Sequence, residues 1–501
     1  MIYNILRPFT DLKPFQKAEF SIMLVLAFVI PFHWLAAQYG EAALVTCAVL
    51  KVVFEQKFKF NPSQMKWKWV YLVFMATWLA YLVGMIHTEN ADEGWFEVSK
   101  KLGFLLFPLV FLISDMSYLT KARIRMIFYA LVAGTLVFFL ANVLWASYDV
   151  IFLDYPTTRF FDDGLMKLYY VHHTYMSMYA TLAFVFCYFD FFNHKKLKVK
   201  ILYVIAAIML FAFVILCNSR AGIIIIFLSI IIMLVWTFFF KKETKIGTSA
   251  IVIILVLTVG IIKLNPESLS RINVTIKSIT SVNSNDRRLV QFAGYKQLLK
   301  DKWLFGVGTG DKCDEIVKSY ESYKNELVSS IEPVPGAGRE KFEKNRDILL
   351  NDILTFTNPT GNNWHVPNAF TSEYIKTDAE KRYCTLESVN SVYVNYIYIF
   401  DAIANTLNTH NQYFETILSI GVIGLVLLLG YFIVPIFIMI KNKRFTIIYL
   451  IFMLIISLNA IFEAILERQD GIIFFNFFNM LLLNCLLADI NSTTKISTDE
   501  K

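Results

Sequence analysis

Charged side chains are scarce in this sequence. Asp, Glu, Lys and Arg make up 17% of its 501 residues, against roughly 25% in soluble proteins. Hydrophobic residues make up 56%, and phenylalanine alone occurs 46 times. Such a chain cannot cover a water-facing surface, which excludes a cytosolic enzyme, a disordered regulator and a disulfide-rich miniprotein. The composition instead predicts a protein embedded in a lipid bilayer.

Metal-binding and nucleotide-binding motifs are also missing. The sequence contains no C-x-x-C, H-E-x-x-H or D-x-D arrangement, so we expect no metal and no cofactor. The glycines Gly306, Gly308 and Gly310 could form a phosphate loop, but no βαβ unit surrounds them. A tight turn that ends a helix is the favoured interpretation. Cys313 and Cys384 share one long connector, where a disulfide and two separate thiols are both open.

Long apolar runs recur along the chain. Each has roughly the 17–25 residues that cross about 30 Å of hydrocarbon. They show no period-two alternation, so we predict helices and not barrel strands, and an all-α integral membrane protein with about twelve transmembrane helices. The second and fourth runs are short enough to be tilted pairs or re-entrant segments. The predicted spans are 20–37, 39–54, 69–87, 101–114, 126–147, 172–192, 200–217, 219–240, 248–264, 412–440, 445–463 and 471–489.

The connectors between these runs alternate in charge. One set is basic, and the opposite set is acidic or short. The net charge of +7 therefore reflects sidedness in a membrane, and we expect no nucleic-acid partner. The positive-inside rule makes the basic set cytoplasmic and places both termini inside. The basic set includes Lys57, Lys59, Lys66 and Lys68; Lys121, Arg123 and Arg125; Lys195, Lys196, Lys198 and Lys200; Lys241, Lys242 and Lys245; and Lys441, Lys443 and Arg444.

One outer connector is far longer than the rest. It covers residues 265–409, is polar, and has apolar residues at helical spacing in 287–300. We therefore predict a large, partly helical outer loop between two transmembrane regions. The predicted organisation is 1–264 with nine transmembrane helices, 265–409 as the loop, 410–490 with three more helices, and 491–501 as a cytoplasmic tail.

Several polar residues lie at outer ends of the predicted spans. Arg220 opens the eighth span, where snorkelling to the interface is the alternative to anion binding. Arg287 and Arg288 lie in the long loop, where a solvated helix face is the alternative. His410 and Asn411 precede the tenth span, and His172 and His173 open the sixth. A helix cap or a core position is the alternative for these residues.

Taken together, these residues suit one chemistry. Guanidinium groups bind phosphate oxygens bidentately and stay charged. An imidazole can accept a proton from an attacking hydroxyl, because histidine ordinarily titrates near pH 6.5. We therefore predict an outer-face site for a pyrophosphate-linked lipid, with Arg220, Arg288 and Arg287 as pyrophosphate ligands and His410 as the catalytic base. His172, His173 and Asn411 are further candidates.

At the level of motifs, the chain resembles the O-antigen ligase and polymerase superfamily of bacterial polysaccharide assembly. The resemblance covers roughly residues 172–440. It rests on order and spacing, and the offset to Phe292 favours Arg288 over Arg287 as the family arginine. The long loop departs from the family in its length and in its 311–402 content. The matching segments are Asn-Ser-Arg-Ala-Gly at 218–222, Arg288 with Phe292, Trp-Leu-Phe-Gly-Val-Gly at 303–308, His-Asn-Gln-Tyr at 410–413, and Ser-Ile-Gly-Val-Ile-Gly at 419–424.

The resemblance implies a metal-independent, inverting glycosyltransferase in the bacterial cytoplasmic membrane. Ligases of the family move a glycan from undecaprenyl pyrophosphate to the lipid A core on the periplasmic side, whereas polymerases join two lipid-linked repeat units. A large loop before the tenth span favours a ligase, and the connector at 148–171 is only moderate for a polymerase. The donor, the lipid A core or a glycan acceptor, and membrane lipids are the expected partners. A transporter of lipid-linked sugar is a third, less favoured interpretation, because the arginines lie at an outer rim and not at mid-membrane.

Overall fold

The fold is known here from a computed structural model. It describes residues 9–55, 66–169, 171–264, 295–296, 298–319, 343 and 410–499. Within these ranges every regular element is a helix, and the described part contains no strand. The predicted all-α class is therefore confirmed for these residues.

Long helices joined by short connectors account for most of the described chain. Shorter helices occur only in connectors, and residues 298–302 and 312–319 are also helical. The bounds are α1 (Pro14–Val29), α2 (Trp34–Glu55), α3 (Lys68–Gly84), α4 (Ala91–Lys100), α5 (Gly103–Ile113), α6 (Lys121–Phe152), α7 (Asp162–Leu165), α8 (His173–Phe191), α9 (Leu197–Leu216), α10 (Arg220–Val235), α11 (Thr244–Leu264), α12 (Gln412–Lys441), α13 (Ile447–Phe462) and α14 (Gln469–Asp499).

Seven of the described helices are long and apolar enough to cross a membrane: α2, α3, α6, α9, α10, α12 and α14. The helices α11 and α13 are apolar but shorter. These elements support a membrane-embedded protein, as the composition predicts. Although a helix occurs at each predicted span, the count of twelve crossings and the sidedness of the termini stay predictions. Helix α14 continues to Asp499, so the predicted tail is helical up to that residue.

Helix α14 forms the centre of the bundle. In its most apolar stretch 89% of the residues are buried, against 28–44% in the other six long helices. It packs against α5 and α2, while α8 packs against α6, α9, α10 and α13. Helices buried on all sides have no lipid-facing stripe, so their apolar residues are distributed around the whole helix.

The helix α12 is broken near its start, where a segment of the long connector packs against it. Ile420 and Gly421 have non-helical backbone angles, with φ −133° and +69°. The segment 303–307 of the long loop fits into this break. There the Val422 N–H donates to the Trp303 carbonyl at 2.9 Å, and the Val307 N–H donates to the Leu418 carbonyl at 2.7 Å.

Glycine is required on both sides of this junction. A Cβ atom at Gly421 would lie 2.0 Å from the Leu304 carbonyl oxygen, and one at Gly306 would lie 2.6 Å from the Leu418 carbonyl oxygen. Both glycines have positive φ, a region that side chains disfavour. Gly306 ends the helical stretch 298–302, as the tight-turn interpretation predicts. Two of the segments that carry the family resemblance therefore lie in direct contact.

The rest of segment 298–319 is fixed to the connector between α3 and α4. The Asp311 carboxylate accepts hydrogen bonds from the Glu89 and Asn90 N–H groups, at 2.9 Å and 2.7 Å. The Thr309 hydroxyl donates to the Tyr81 carbonyl at 2.7 Å. This part of the long connector is therefore docked on the ends of α3 and α4.

Candidate functional site at the start of α8

The start of α8 is held by two histidines. His172 is the N-cap residue, and its Nδ1 accepts a hydrogen bond from the Thr174 N–H at 3.3 Å. The Nδ1 atom of His173 lies 2.8 Å from Oδ1 of Asp163 in α7. The two imidazole rings stack with their centres 4.3 Å apart. These contacts anchor α8 on the connector that precedes it.

These residues also have the composition of a metal site. The potential ligand atoms of Asp163, His172 and His173 all lie within 4.8 Å of one another. A neutral imidazole has one lone pair, however, and that of His172 already accepts the Thr174 N–H. A metal ion would therefore displace the helix cap, so the geometry fits capping better than metal binding.

Arg220 begins α10 next to the start of α8. The preceding Ser219 is the N-cap of α10, and its Oγ lies 3.5 Å from Oγ1 of Thr174. A Cβ atom at Gly222 would lie 2.5 Å from the Ser177 hydroxyl, which shows how closely the first turns of α8 and α10 approach. The Arg220 side chain is half-buried at this contact.

His410 lies immediately before α12 and pairs with a carboxylate. Its Nδ1 is 3.0 Å from Oε2 of Glu463, the residue that ends α13. The His410 side chain is 34% exposed, so a ligand can reach the ring while its Nδ1 atom contacts Glu463. Asn411 caps α12, because its Oδ1 accepts from the Tyr413 and Phe414 N–H groups at 3.0 Å and 3.1 Å. The predicted cap is thus confirmed.

Electrostatics join His410 to the start of α8. Burial raises the pKa of Glu463, but the hydrogen bond and charge of His410, with His172 and Arg468, outweigh it and lower the pKa below its usual value. Burial, reinforced by His173, lowers the pKa of His172 to about 4 despite nearby Glu463. Glu463 is therefore ionised and His172 neutral at pH 7. The four residues His172, His410, Glu463 and Arg468 form one group, which we call the outer cluster.

Arg468 was not a predicted site residue. It directly precedes α14, its side chain is exposed, and it makes no ion pair within the described residues. A guanidinium that is charged, unpaired and accessible can bind an anionic ligand bidentately. The available signal in the sequence was a single arginine in a short outer connector, where basic residues are otherwise few.

A buried charge network lies next to the outer cluster in the chain, at Glu467. Glu467, next to Arg468, accepts from the Lys101 ammonium at 2.7 Å and from the Lys312 ammonium at 3.0 Å. Lys312 also lies 2.8 Å from Glu415 in α12. One network thus joins the α4–α5 junction, α12 and the 298–319 segment to the turn between α13 and α14.

Opposite charges in this network favour each other's ionised form, although burial still lowers the pKa of Lys101. Burial raises the pKa of Glu467, but Lys101, Lys312 and Lys100 more than compensate and lower it well below the usual range. Burial lowers the pKa of Lys312, but Glu415 and Glu467 raise it well above the usual range. Such pairs resist separation, because removing one partner leaves a buried charge unpaired.

Not every predicted site residue can be placed. His172, His410 and Glu463 come together, and Arg220 lies beside the same start of α8. His173 and Asn411 have structural roles in pairing and capping. Arg287, Arg288 and Cys384 lie outside the described residues, while Cys313 carries a free, half-buried thiol. No protein-family model matches the chain, and no curated protein matches it.

Proposed function

We propose that this chain is a glycosyltransferase of the O-antigen ligase type. It moves a glycan from undecaprenyl pyrophosphate to an acceptor, the lipid A core, on the periplasmic face of the bacterial cytoplasmic membrane. The observation that carries the proposal is the His410–Glu463 pair, with its 3.0 Å contact, beside Arg468 and the start of α8. A base, its orienting carboxylate and an accessible guanidinium are the groups that such a transfer requires.

In the proposed reaction His410 acts as general base. Glu463 accepts the hydrogen bond from Nδ1–H, which leaves the lone pair on Nε2 to receive the proton of the acceptor hydroxyl. The hydroxyl oxygen then forms a bond to the anomeric carbon, while the bond from that carbon to the pyrophosphate oxygen breaks on the opposite face. Attack from the opposite face inverts the anomeric centre. The Glu463 carboxylate stabilises the imidazolium that forms.

The leaving pyrophosphate is held by arginines. Arg220 and Arg288 are the proposed bidentate ligands, with Arg287 as the neighbouring alternative, and Arg468 adds a third guanidinium from the outer cluster. Guanidinium groups stabilise the charge that develops on the departing oxygen without proton transfer. This mechanism uses no metal and no cofactor.

A polymerase of the same superfamily is the second candidate. The docking of 303–307 in the break of α12 favours neither candidate, because these segments carry the resemblance to the whole superfamily and both of its branches use the same donor chemistry. The long connector before α12 favours the ligase. A transporter is less favoured, because the outer cluster and the Glu467 network both lie at helix ends and not in mid-span.

Glycan analysis of a deletion strain separates these candidates. A ligase mutant loses all polymer from lipid A while the lipid-linked polymer accumulates. A polymerase mutant instead carries a single repeat unit on lipid A. Loss of all glycan from lipid A, with a lipid-linked repeat unit accumulating on the cytoplasmic side, would indicate the transporter and contradict the proposal.

A further inference from the structure

A second site lies at the opposite end of α8. A cavity of about 320 Å³ opens between α8, α9, α10 and α11, and its wall is almost entirely apolar. Phe184, Ala207, Met233 and Ile254 each contribute from a different helix. Phe184 and Met233 lie near the ends of α8 and α10 that adjoin the basic connectors 192–196 and 241–243, and Ala207 and Ile254 lie at the middle of α9 and α11.

The mouth of this cavity is positively charged. Lys245 lines it, is exposed, and makes no ion pair within the described part of the chain. Lys200 lies beside it, with its ammonium 4.8 Å from the centre of the Phe191 ring, which also lines the cavity. Two cations that make no ion pair with the described carboxylates therefore flank an apolar interior.

The Tyr203 hydroxyl in the wall already has a partner. Tyr203 lines the cavity, and its hydroxyl donates to Oδ2 of Asp190 at 2.6 Å. Asp190 in turn pairs with Nε of Arg125 at 2.8 Å. Apart from Lys245 at the mouth and the exposed Ser249, the wall offers hydrocarbon contacts, which disfavours a sugar or a nucleotide as its occupant.

We propose that this cavity binds an acyl chain of an anionic phospholipid, with the lipid phosphate at Lys245 and Lys200. In a bilayer an apolar gap between helices fills with hydrocarbon, and basic residues at the membrane surface attract anionic headgroups. Lys245 and Lys200 place the bound phosphate at this end of α8, whereas the donor pyrophosphate of the proposed function would lie at the outer cluster. Sixteen residues of α8 separate His172 from Tyr188 in the cavity wall, which corresponds to about 24 Å at 1.5 Å per residue.

Native mass spectrometry of the purified full-length protein tests the headgroup part of this site. The protein is offered equal amounts of phosphatidylglycerol and phosphatidylcholine, and we expect it to retain phosphatidylglycerol preferentially. Lys245→Glu should lower that preference by about fivefold or more, since each lysine near the surface contributes roughly that factor. Lys198→Glu is the matched control, because Lys198 is exposed in the first turn of α9 and does not line the cavity.

The acyl-chain part is tested by filling the cavity. Ala250→Phe should reduce retention of both lipids, and the Lys245→Glu arm remains informative if this variant does not fold. Equal effects of Lys245→Glu and Lys198→Glu would overturn the proposal, as would undiminished retention by a folded Ala250→Phe protein. Displacement of phosphatidylglycerol by equimolar undecaprenyl phosphate would also overturn it and assign the cavity to the isoprenoid.

Discussion

The residue pair His410 and Glu463 gives the first test. Glu463→Gln keeps the shape of the side chain but removes the charge that orients and stabilises the histidine ring. We expect transfer activity to fall by at least about tenfold, because a base must be held in the correct tautomer. Protein level and thermal stability serve as controls for folding.

The pH profile separates a positioning role from a purely structural one. The pKa of Glu463 is held below its usual value, so this carboxylate is ionised throughout the neutral range. Because a base works in its neutral form, the wild-type rate should rise with pH through the range in which histidine titrates. Glu463→Gln should keep the rise but lower the rate at every pH, because the ring is no longer held in the productive tautomer. A wild-type rate that declines with rising pH would show that His410 acts only as a positive charge.

The arginines give the second residue-scale prediction. If Arg220 and Arg288 bind pyrophosphate through two hydrogen bonds each, lysine cannot reproduce the fork. Charge-assisted hydrogen bonds contribute about 1.5–3 kcal/mol each, so Arg220→Ala or Arg288→Ala should reduce activity by roughly tenfold to a hundredfold or more. Arg287→Ala is the neighbouring control. Full activity of Arg220→Lys and Arg288→Lys at normal protein level would contradict bidentate binding.

Site residues were predictable from the sequence where a chemically suitable side chain stands directly beside a long apolar run. His410 and Arg220 adjoin long apolar runs, so their placement at helix ends followed from the runs alone. Glu463 as the partner of His410 did not, since 53 residues separate the two and no local spacing relates them. Arg468 was missed for the same reason.

At the scale of elements, the break in α12 makes a stability prediction. Gly421→Ala places a Cβ atom against the Leu304 carbonyl in a backbone region that alanine disfavours. We expect a loss of about 1–3 kcal/mol or more, measured as a lower thermal midpoint in detergent. Gly430→Ala in the same helix is the control, because its new atom would be 3.4 Å from its nearest neighbour, an ordinary contact. Equal midpoints for the two variants would contradict the described junction.

The Glu467 network predicts an acid-sensitive stability. The pKa of Glu467 is lowered in the folded protein, so its contribution is complete above the ordinary glutamate value of about 4.3. That contribution is lost as the pH falls through the lower folded value. Glu467→Gln should remove this dependence and lower stability by about 3–5 kcal/mol, because Lys101 and Lys312 stay buried. The exposed Asp92→Asn variant should show neither change, and an equal effect of both variants would exclude the network as the cause.

Helix positions were largely predictable at this scale. A helix lies at every apolar run, because each run is long enough to satisfy its own backbone hydrogen bonds. The break at Gly421 was not predictable, since it depends on contact with residues more than a hundred positions earlier in the chain. The docking of Asp311 on the α3–α4 connector is non-local in the same way.

For the whole molecule, composition predicts a membrane protein, because a chain with 17% charged residues cannot form a large water-facing surface, and the long apolar runs without period-two alternation predict helices. Seven described helices meet the length and apolarity that a crossing needs. How the outer ends of α8, α10, α12 and α13 converge could not be derived from hydropathy, since hydropathy orders helices along the chain but does not fix their neighbours. That convergence is what the proposed transfer reaction depends on.

The most direct test of the central claim is transfer by the purified protein in detergent, in the presence of a metal chelator. With an undecaprenyl-pyrophosphate glycan and lipid A core, we predict glycan on lipid A and release of undecaprenyl pyrophosphate. His410→Ala should reduce that rate by about 10²–10⁴-fold, the usual contribution of a general base, at unchanged protein level. Transfer by His410→Ala at the wild-type rate, or binding of the donor without product, would contradict the account.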